Sequence, residues 1–341
     1  MVFGWFLGYI EAMQGLRNAV LATLAYYDVF DFPLTGFEVW KFLINPARVE
    51  RLKEGIGEIV LIDVIKELEE LQKNKKIVEY NGFYFLSPER LGIYDIRIER
   101  EKISAQKWKK LLNKARWFMM VPYLRGLFIS GSMALNNSTE ASDFDALVVA
   151  KTNRLYTCRI LLSFVASLLG VRRTKHDVRA PDKFCFNHYL TDQNLGILYE
   201  SLYNAETYMS LKPIFAQDDL WVRFFRDNIW LNKFVYNSRP EESYLYRVKP
   251  WPVLMGVQHL LETMLDTVVG EGVEKFLRYY QQRRIRLNPV TYASGGRTIF
   301  TDAQLEFHPH SEERRIISRY NETVLNLGTF WNYSELDSGL E

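Results

Sequence analysis

Cysteine is scarce in this 341-residue chain, which contains only Cys158 and Cys185. A small fold stabilised by disulfides needs several cysteine pairs, so this sequence does not predict one, and two free thiols fit a reducing compartment. No cysteine spacing typical of a zinc site is present either. We therefore expect both cysteines to lie in a hydrophobic core.

Long apolar runs are also missing. The most apolar internal stretch, residues 160–171, is shorter than the ~20 residues that a membrane-spanning helix needs. Residues 1–10 are apolar, but no basic leading region and no small-residue cleavage site accompany them, so we do not expect a signal peptide. These absences predict a cytoplasmic protein with no membrane partner.

The chain has little net charge of either sign. Its formal charge is +2, so the whole surface is not expected to attract polyanions. Locally the charge is uneven, because residues 87–120 carry 9 Lys and Arg against 4 Asp and Glu, and residues 121–190 carry 9 against 5. Positive charge is thus concentrated in the middle of a chain that is long enough for two or three domains.

The first 86 residues predict three helices closed by a hairpin. Apolar residues recur at helical spacing over residues 16–27, Thr35 suits the N-cap of a second helix, and a third helix is predicted from about Ile62 to Asn74. Asn81-Gly82 stands between two β-prone runs, which is typical of a tight hairpin turn. This order resembles a winged helix, so we predict an N-terminal winged-helix-like module over residues 1–86.

The third helix does not favour DNA binding. Residues 63–73 contain four acidic side chains and two lysines, whereas contacts to DNA phosphates need cationic side chains. We therefore expect this module to have a structural or protein-contacting role, and we do not expect it to bind DNA.

Residues 87–120 predict a basic connecting helix, and residues 192–341 predict a mostly helical C-terminal domain that includes a polar helix over about 312–327. The cationic side chains of the connecting helix either form a solvated face or help to bind a polyanion. They are Lys102, Lys107, Lys109, Lys110, Lys114 and Arg116.

The stretch from Gly126 to Val149 contains the pattern that carries chemistry. Leu127–Ile129 predict a buried strand, and Gly131-Ser132 predict a helical turn directly after it. Glycine lets a phosphate approach the backbone closely, and serine adds a hydroxyl beside the free N–H groups of a helix start. About ten residues later a second strand is predicted to begin.

Asp143 and Asp145 lie on the same face of that second strand, because side chains alternate between the two faces. Two adjacent carboxylates repel each other unless a cation lies between them. A hard divalent cation with oxygen ligands is the natural partner, and Mg²⁺ that carries substrate phosphates, or Mn²⁺ in its place, fits this pair.

This pattern resembles the signature of the DNA polymerase beta-like nucleotidyltransferase superfamily. The signature consists of an apolar strand, Gly-Ser, about ten residues and then Asp-x-Asp on another strand. A helix predicted over residues 154–170 suits this pattern, and the clear resemblance covers residues 124–190. The combination of a winged-helix-like module, a basic helix and this core is similar to a loosely characterised group of prokaryotic nucleotidyltransferase-domain proteins.

The resemblance implies an α+β fold whose core, residues 121–191, has a nucleotidyltransferase-type mixed sheet with flanking helices. It also implies that Asp143 and Asp145 are the catalytic, metal-binding carboxylates. By the same resemblance, Gly131, Ser132 and Ser142 contact the nucleotide, which is a nucleoside triphosphate.

The sequence departs from the family at one place. Active members usually carry a third carboxylate on the next strand, where it completes the metal site and helps to deprotonate the attacking hydroxyl. The matching strand here, residues 183–190, offers Asn187 and His188 instead. Nearby acidic alternatives are Asp177, Asp182 and Asp192.

The cations that follow the long helix, Arg172, Arg173 and Lys175, have two interpretations. They either bind a triphosphate or an acidic acceptor, or they interact with the C-terminal end of the helix dipole, and we favour the second. His176 beside Asp177 is either a catalytic base pair or part of a surface loop, and again the second is favoured.

Three hypotheses follow. In the first, the protein is an Mg²⁺-dependent enzyme that moves a nucleoside monophosphate from a triphosphate to a hydroxyl acceptor, which is a small molecule, a protein side chain or an RNA end. In the second, the core is catalytically degenerate and acts as a nucleotide-sensing, regulatory or partner-binding module. In the third, it is an antitoxin-like or RNA-modifying enzyme paired with another protein.

Overall fold

The fold is mixed α+β, with one small sheet, one large sheet and helices around both. The computed structural model describes residues 2–50, 58–174, 177, 179–237, 246–293, 296–308, 311–328 and 333–338, and the side chains from residue 14 onward. Within these ranges, no helix combines the length and the apolar composition that crossing a bilayer requires.

The described residues of the N-terminal part form four helices and a three-stranded antiparallel sheet. Its elements are α1 (Val2–Asp28), β1 (Leu34–Thr35), α2 (Gly36–Lys41), α3 (Pro46–Val49), α4 (Leu61–Lys73), β2 (Val78–Tyr80) and β3 (Phe83–Phe85). The strand order is β1-β3-β2, so the hairpin strand β3 lies in the centre.

Local sequence signals explain most of these elements. The Thr35 side chain accepts a hydrogen bond from the Glu38 amide, and the Glu38 carboxylate accepts one from the Thr35 amide, so the predicted N-cap is confirmed as a reciprocal capping box. Asn81 and Gly82 both have positive φ, +52° and +82°, which confirms the predicted hairpin turn.

A long charged helix, α5 (Ile93–Ala115), connects this part to the large sheet. Most of its cations are exposed, but Lys107 is buried. The Lys107 ammonium donates to the backbone oxygens of Glu140 and Ser142 and to the Asp182 carboxylate, at 2.8–2.9 Å. Lys107 therefore belongs neither to a solvated face nor to a surface for polyanions, because it fixes the loop before Asp143.

The large sheet has six strands in the order β7-β4-β5-β6-β9-β8, and only β5 and β6 are parallel. Its strands are β4 (Leu124–Ile129), β5 (Phe144–Ala150), β6 (Phe184–Thr191), β7 (Lys212–Ala216), β8 (Arg297–Phe300) and β9 (Gln304–His308). The remaining helices are α6 (Gly131–Ala134), α7 (Leu155–Leu168), α8 (Leu202–Met209), α9 (Leu220–Asp227), α10 (Pro252–Leu265), α11 (Val268–Arg286) and α12 (Glu313–Asn326).

Three of the six strands come from the region after residue 191, for which we expected mostly helices. In β8 and β9 the reason is physical, because their buried side chains are polar except for Leu305. Arg297 is buried and pairs with the buried Glu306 at 2.6 Å, and Gln304 is buried beside them. Hydrophobic alternation, the usual sign of a half-buried strand, is therefore weak here.

Hydrophobic clusters cover both faces of the large sheet. On β5, Leu147 and Val149 pack into a cluster that includes residues of α1, α8 and α12, whereas Phe144, Ala146 and Val148 pack into a second cluster with α5 and α7. The first cluster joins the N-terminal part to the C-terminal helix α12, because α1 and α12 contact each other.

Candidate metal and nucleotide site

The two predicted carboxylates lie at the edge of the large sheet where β4 ends and the parallel strands β5 and β6 begin. Asp143 directly precedes β5, and Asp145 is the second residue of that strand. Asp145 pairs with Cys185 across the parallel ladder, and its backbone oxygen accepts a hydrogen bond from the Ser130 amide at 3.0 Å. The end of β4 is thereby fixed against the start of β5.

Asp143, Asp145 and Cys185 form the group of side chains here that could hold a metal ion. One ligand atom from each lies within 4.8 Å of the others. Burial, with a further contribution from Asp145 and Asp143, raises the pKa of the Cys185 thiol to about 12, so the thiol is protonated in the metal-free protein. A soft sulfur atom is also a poor ligand for a hard cation such as Mg²⁺. The two carboxylates alone would hold a hard cation, and such a pair does not identify which one.

The environment of Asp145 opposes its ionisation. Burial is the main cause, and the charge of Asp143 adds to it, which together raise the pKa of Asp145 to about 7. Arg173 and a hydrogen bond from the Asn187 amide nitrogen to Asp145 Oδ1, at 3.2 Å, act in the opposite direction and compensate only in part. A cation bound between the carboxylates would favour the ionised form of Asp145 and so lower its pKa.

Arg173 forms an ion pair with Asp143. Its backbone is held in place by the start of β6, since the Arg173 amide donates to the Phe184 oxygen at 2.9 Å. The helix α7 ends at Leu168, with Leu169 as its C-cap. The favoured interpretation, that this arginine interacts with the end of the helix, is therefore wrong for Arg173. Lys175 lies outside the described residues. So does His176, which was predicted to form either a catalytic pair with Asp177 or part of a surface loop.

Gly131 lies directly against Asp145. Its φ is +65°, which a residue with a side chain rarely adopts, and a Cβ at this position would lie 3.1 Å from Asp145 Oδ2. The next residue, Ser132, has its hydroxyl 3.3 Å from that of Ser138. The predicted Gly-Ser pair and the Asp-x-Asp pair, which lie on different elements of the sheet edge, are thus adjacent in the fold.

Ser142, predicted to contact the nucleotide, is engaged within its own loop. Its hydroxyl accepts a hydrogen bond from the Thr139 amide at 3.0 Å, and its backbone oxygen accepts one from Lys107 at 2.8 Å. The signal that could have identified Lys107 is its position between Ser104 and Leu111 on the buried face of α5, where a lysine needs buried acceptors.

The two residues proposed for the third position have different surroundings. Asn187 contacts Asp145 as described, but His188 lies in a buried network in which its ring nitrogens are 3.1 Å from the Tyr208 hydroxyl and from Gln304 Nε2. Burial and the charge of Arg297 lower the pKa of His188 to about 3, so the ring is neutral. Nothing in the described structure joins His188 to the carboxylate pair.

The acidic alternatives have partners of their own. Asp182 binds Lys107, Asp192 accepts hydrogen bonds from Thr152, and Asp177 binds Thr174 and Lys183. Among the described residues, no third carboxylate completes the pair.

A cavity of about 280 Å³ adjoins Gly131 and Ser132 on the face of the sheet that carries α1, α8 and α12. Its wall includes Glu206, which is 3% exposed. Glu206 Oε2 accepts a hydrogen bond from the Tyr27 hydroxyl at 2.7 Å, but Oε1 has no partner among the described residues. Burial raises the pKa of Glu206 to about 8, so this carboxyl is mostly neutral at pH 7. No sequence pattern around Glu206 predicted this.

Comparisons with protein-family models, with curated proteins and with solved structures find no match to this chain. The resemblance to the nucleotidyltransferase superfamily therefore rests on the motif and on the geometry described above.

Proposed function

We propose that this protein is a divalent-metal-dependent nucleotidyltransferase that moves a nucleoside monophosphate from a nucleoside triphosphate to a hydroxyl acceptor and releases pyrophosphate. The observation that carries the proposal is the contact between the two halves of the motif, in which Gly131 lies against the carboxylate of Asp145 while Asp143 lies beside it. A cation and a phosphate could meet at this point.

In this proposal Asp143 and Asp145 hold Mg²⁺ or Mn²⁺. The bound ion would neutralise the charge that develops on the phosphates and on the leaving pyrophosphate. Arg173 must turn away from Asp143 to admit the ion, and the released guanidinium is then free to bind an oxyanion. Asn187 orients Asp145, and Lys107 holds the loop that ends at Asp143.

The cavity beside Gly131-Ser132 is the proposed place for the nucleoside. Tyr26, Tyr27, Phe30 and Tyr203 contribute aromatic side chains to its wall, and aromatic rings favour the stacking of a base. The unpartnered oxygen of Glu206 adds a polar group that could hydrogen-bond to the edge of a base.

We further propose the finer fold that the motifs imply. The core would be a nucleotidyltransferase-type sheet, supported by the Gly-Ser turn between β4 and β5 and by the Asp pair at the start of β5. The N-terminal part would be a winged-helix-like module, supported by its helices and the β2–β3 hairpin. The acidic composition of α4 still favours a structural or protein-contacting role over DNA binding.

A second candidate is a catalytically degenerate nucleotidyltransferase fold that senses nucleotides or binds a partner. Two observations favour it. No third carboxylate joins the pair among the described residues, and Arg173 already supplies a positive charge to Asp143. In this case the site binds a nucleotide without transferring it.

Isothermal titration with ATP, GTP, CTP and UTP, in Mg²⁺ and in EDTA, tests the proposal. The variant Asp143→Asn/Asp145→Asn should fold, because it removes two mutually repelling charges, and Asp219→Asn, on an exposed carboxylate, is the matched control. We expect Mg²⁺-dependent binding of a triphosphate that only the double variant loses.

Release of pyrophosphate from the bound triphosphate, in the presence of candidate acceptors, then separates the two functions. Binding without any release would favour the sensing module. Absence of binding for all four triphosphates, by a protein shown to be folded, would overturn both.

A further inference from the structure

A second cavity, of about 530 Å³, lies on the opposite side of the sheet from Glu206, between α7, α11 and the strands β8 and β9. Four arginines line it: Arg159, Arg172, Arg173 and Arg284. None of the described residues that line it is acidic. We call this cavity the arginine cleft.

Of the four arginines in the arginine cleft, Arg173 has a carboxylate partner, Asp143, and the other three have none among the described residues. Arg159 donates to the neutral Gln281 Oε1 at 2.8 Å and lies 4.7 Å from the ring of Phe307. In the described part of the chain, no carboxylate forms an ion pair with Arg159, Arg172 or Arg284. Burial, with the nearby charges of Arg172 and Arg284, lowers the pKa of Arg159.

Elsewhere in this protein, buried arginines have carboxylate partners. Arg97 pairs with Glu38 at 2.7 Å, and Arg297 pairs with Glu306 at 2.6 Å. Burying a cation is costly unless an anion accompanies it. In the arginine cleft, by contrast, Arg172 and Arg284 are exposed and Arg159 is partly buried, so water solvates them in part. Their like charges still repel one another across the cleft, and an anionic ligand would relieve this repulsion.

We propose that the arginine cleft binds a small phosphorylated molecule, whose phosphate is held by Arg159, Arg172 and Arg284. Guanidinium groups bind phosphate through paired hydrogen bonds, which a cluster of them strengthens. Arg159, Arg172 and Arg284 converge on one cavity of about 530 Å³, a size that suits a compact ligand. The apolar side chains of Ile160, Ile285 and Phe307 would contact its organic part.

Arg173 lines the cleft and also contacts Asp143, so the ligand would lie next to the carboxylate pair. The donor triphosphate is assigned to the other side, at Gly131-Ser132. The phosphorylated molecule is then the acceptor, and this last step rests on the proposed function.

The test is isothermal titration in EDTA with inorganic pyrophosphate, ribose 5-phosphate, ribose and a ten-nucleotide single strand. The variants are Arg159→Gln and Arg172→Gln/Arg284→Gln, with Arg283→Gln as control, since Arg283 is the exposed neighbour of Arg284 that does not line the cleft. Circular dichroism and thermal melting check that each variant is folded.

We expect pyrophosphate and ribose 5-phosphate to bind, ribose not to bind, and both cleft variants to weaken binding at least tenfold while Arg283→Gln does not. Equal binding by wild type and cleft variants would overturn the proposal. Tighter binding of the oligonucleotide than of ribose 5-phosphate, lost in the cleft variants, would replace the small ligand with a nucleic-acid strand.

Failure of this proposal is distinguishable from failure of the proposed function. Titration in EDTA does not depend on the metal site, so Asp143→Asn/Asp145→Asn should retain binding of ribose 5-phosphate. If the cleft variants retain Mg²⁺-dependent triphosphate binding but lose ribose 5-phosphate, the two sites are separate, as proposed.

Discussion

Replacing Glu206 with glutamine should stabilise this protein, although it alters a buried hydrogen-bonded side chain. The glutamine oxygen can still accept from Tyr27, and the amide nitrogen takes the place of Oε1, which has no partner now. The gain comes from ionisation. The pKa of this carboxyl is about 4.5 in the unfolded chain and about 8 in the folded chain, so folding delays its ionisation to higher pH.

The magnitude follows from linkage. Between pH 4.5 and 8 the folded state holds a proton on Glu206 that the unfolded state has lost, so stability falls as the pH rises through this window. Each pH unit contributes about 1.4 kcal/mol. At pH 7 the carboxyl therefore lowers the free energy of unfolding by roughly 3 kcal/mol, and glutamine, which does not ionise, would avoid this loss. At pH 5 the difference should be below about 1 kcal/mol.

Urea denaturation of the wild type and Glu206→Gln at pH 5, 6, 7 and 8 measures this difference directly. Other titrating groups, including Asp145, affect both proteins equally and cancel. Glu67→Gln is the matched control, because Glu67 is also buried but pairs with Arg17 at 2.6 Å, so its replacement should destabilise the protein. A Glu206→Gln variant that is less stable than wild type at pH 7, or a difference that does not change with pH, would refute the reasoning.

Three further predictions concern the carboxylate site. Burial and Asp143 raise the pKa of Asp145 to about 7, so a proton competes with the metal ion below that pH. As the pH is raised towards 7, Mn²⁺ affinity should therefore increase by up to about tenfold per pH unit, and above pH 7 it should level off. Titration at several pH values measures this dependence. Gly131→Ala should cost about 1–2 kcal/mol of stability and weaken Mn²⁺ binding, whereas Gly170→Ala, with a similar φ of +68° and no atom within 4 Å, should cost stability alone. Lys107→Met should cost about 2–4 kcal/mol in urea denaturation, since it leaves two backbone oxygens and a carboxylate without their donor. Unchanged stability there would show that the ammonium is dispensable.

Signals that act over a few residues were sufficient to predict several elements from the sequence. The Asn81-Gly82 turn, the Thr35 cap and the helix α7 depend on neighbouring residues, so their patterns are readable in order along the chain. Strands β8 and β9 were missed because Arg297 and Glu306 neutralise each other inside the protein. A pattern of single residues cannot show that two buried charges are partners.

For the candidate site, too, the sequence predicted the residues of a local motif but not those that tertiary packing adds. Asp143, Asp145 and Gly131 belong to one short motif, and the structure brings them together. Arg173 and Glu206 reach their places through strand pairing and helix packing, which no local pattern records. Cys185, expected in the core, is half-buried beside Asp145 because β6 runs parallel to β5 in that register.

The cavity beside Gly131 has walls from three distant parts of the chain. Tyr26 and Tyr27 belong to α1, Gly131 and Ser132 to the turn after β4, and Ile316 to α12. A molecule bound there would connect the N-terminal part to both other parts. Suppose that a partner shifts α1 when it binds, and thereby changes the affinity of the cavity for its ligand by some factor. By thermodynamic reciprocity, the ligand in the cavity must then change the affinity of the protein for that partner by the same factor. Through α1, the N-terminal part is thus placed to transmit the binding of a partner to a site that the partner itself does not contact.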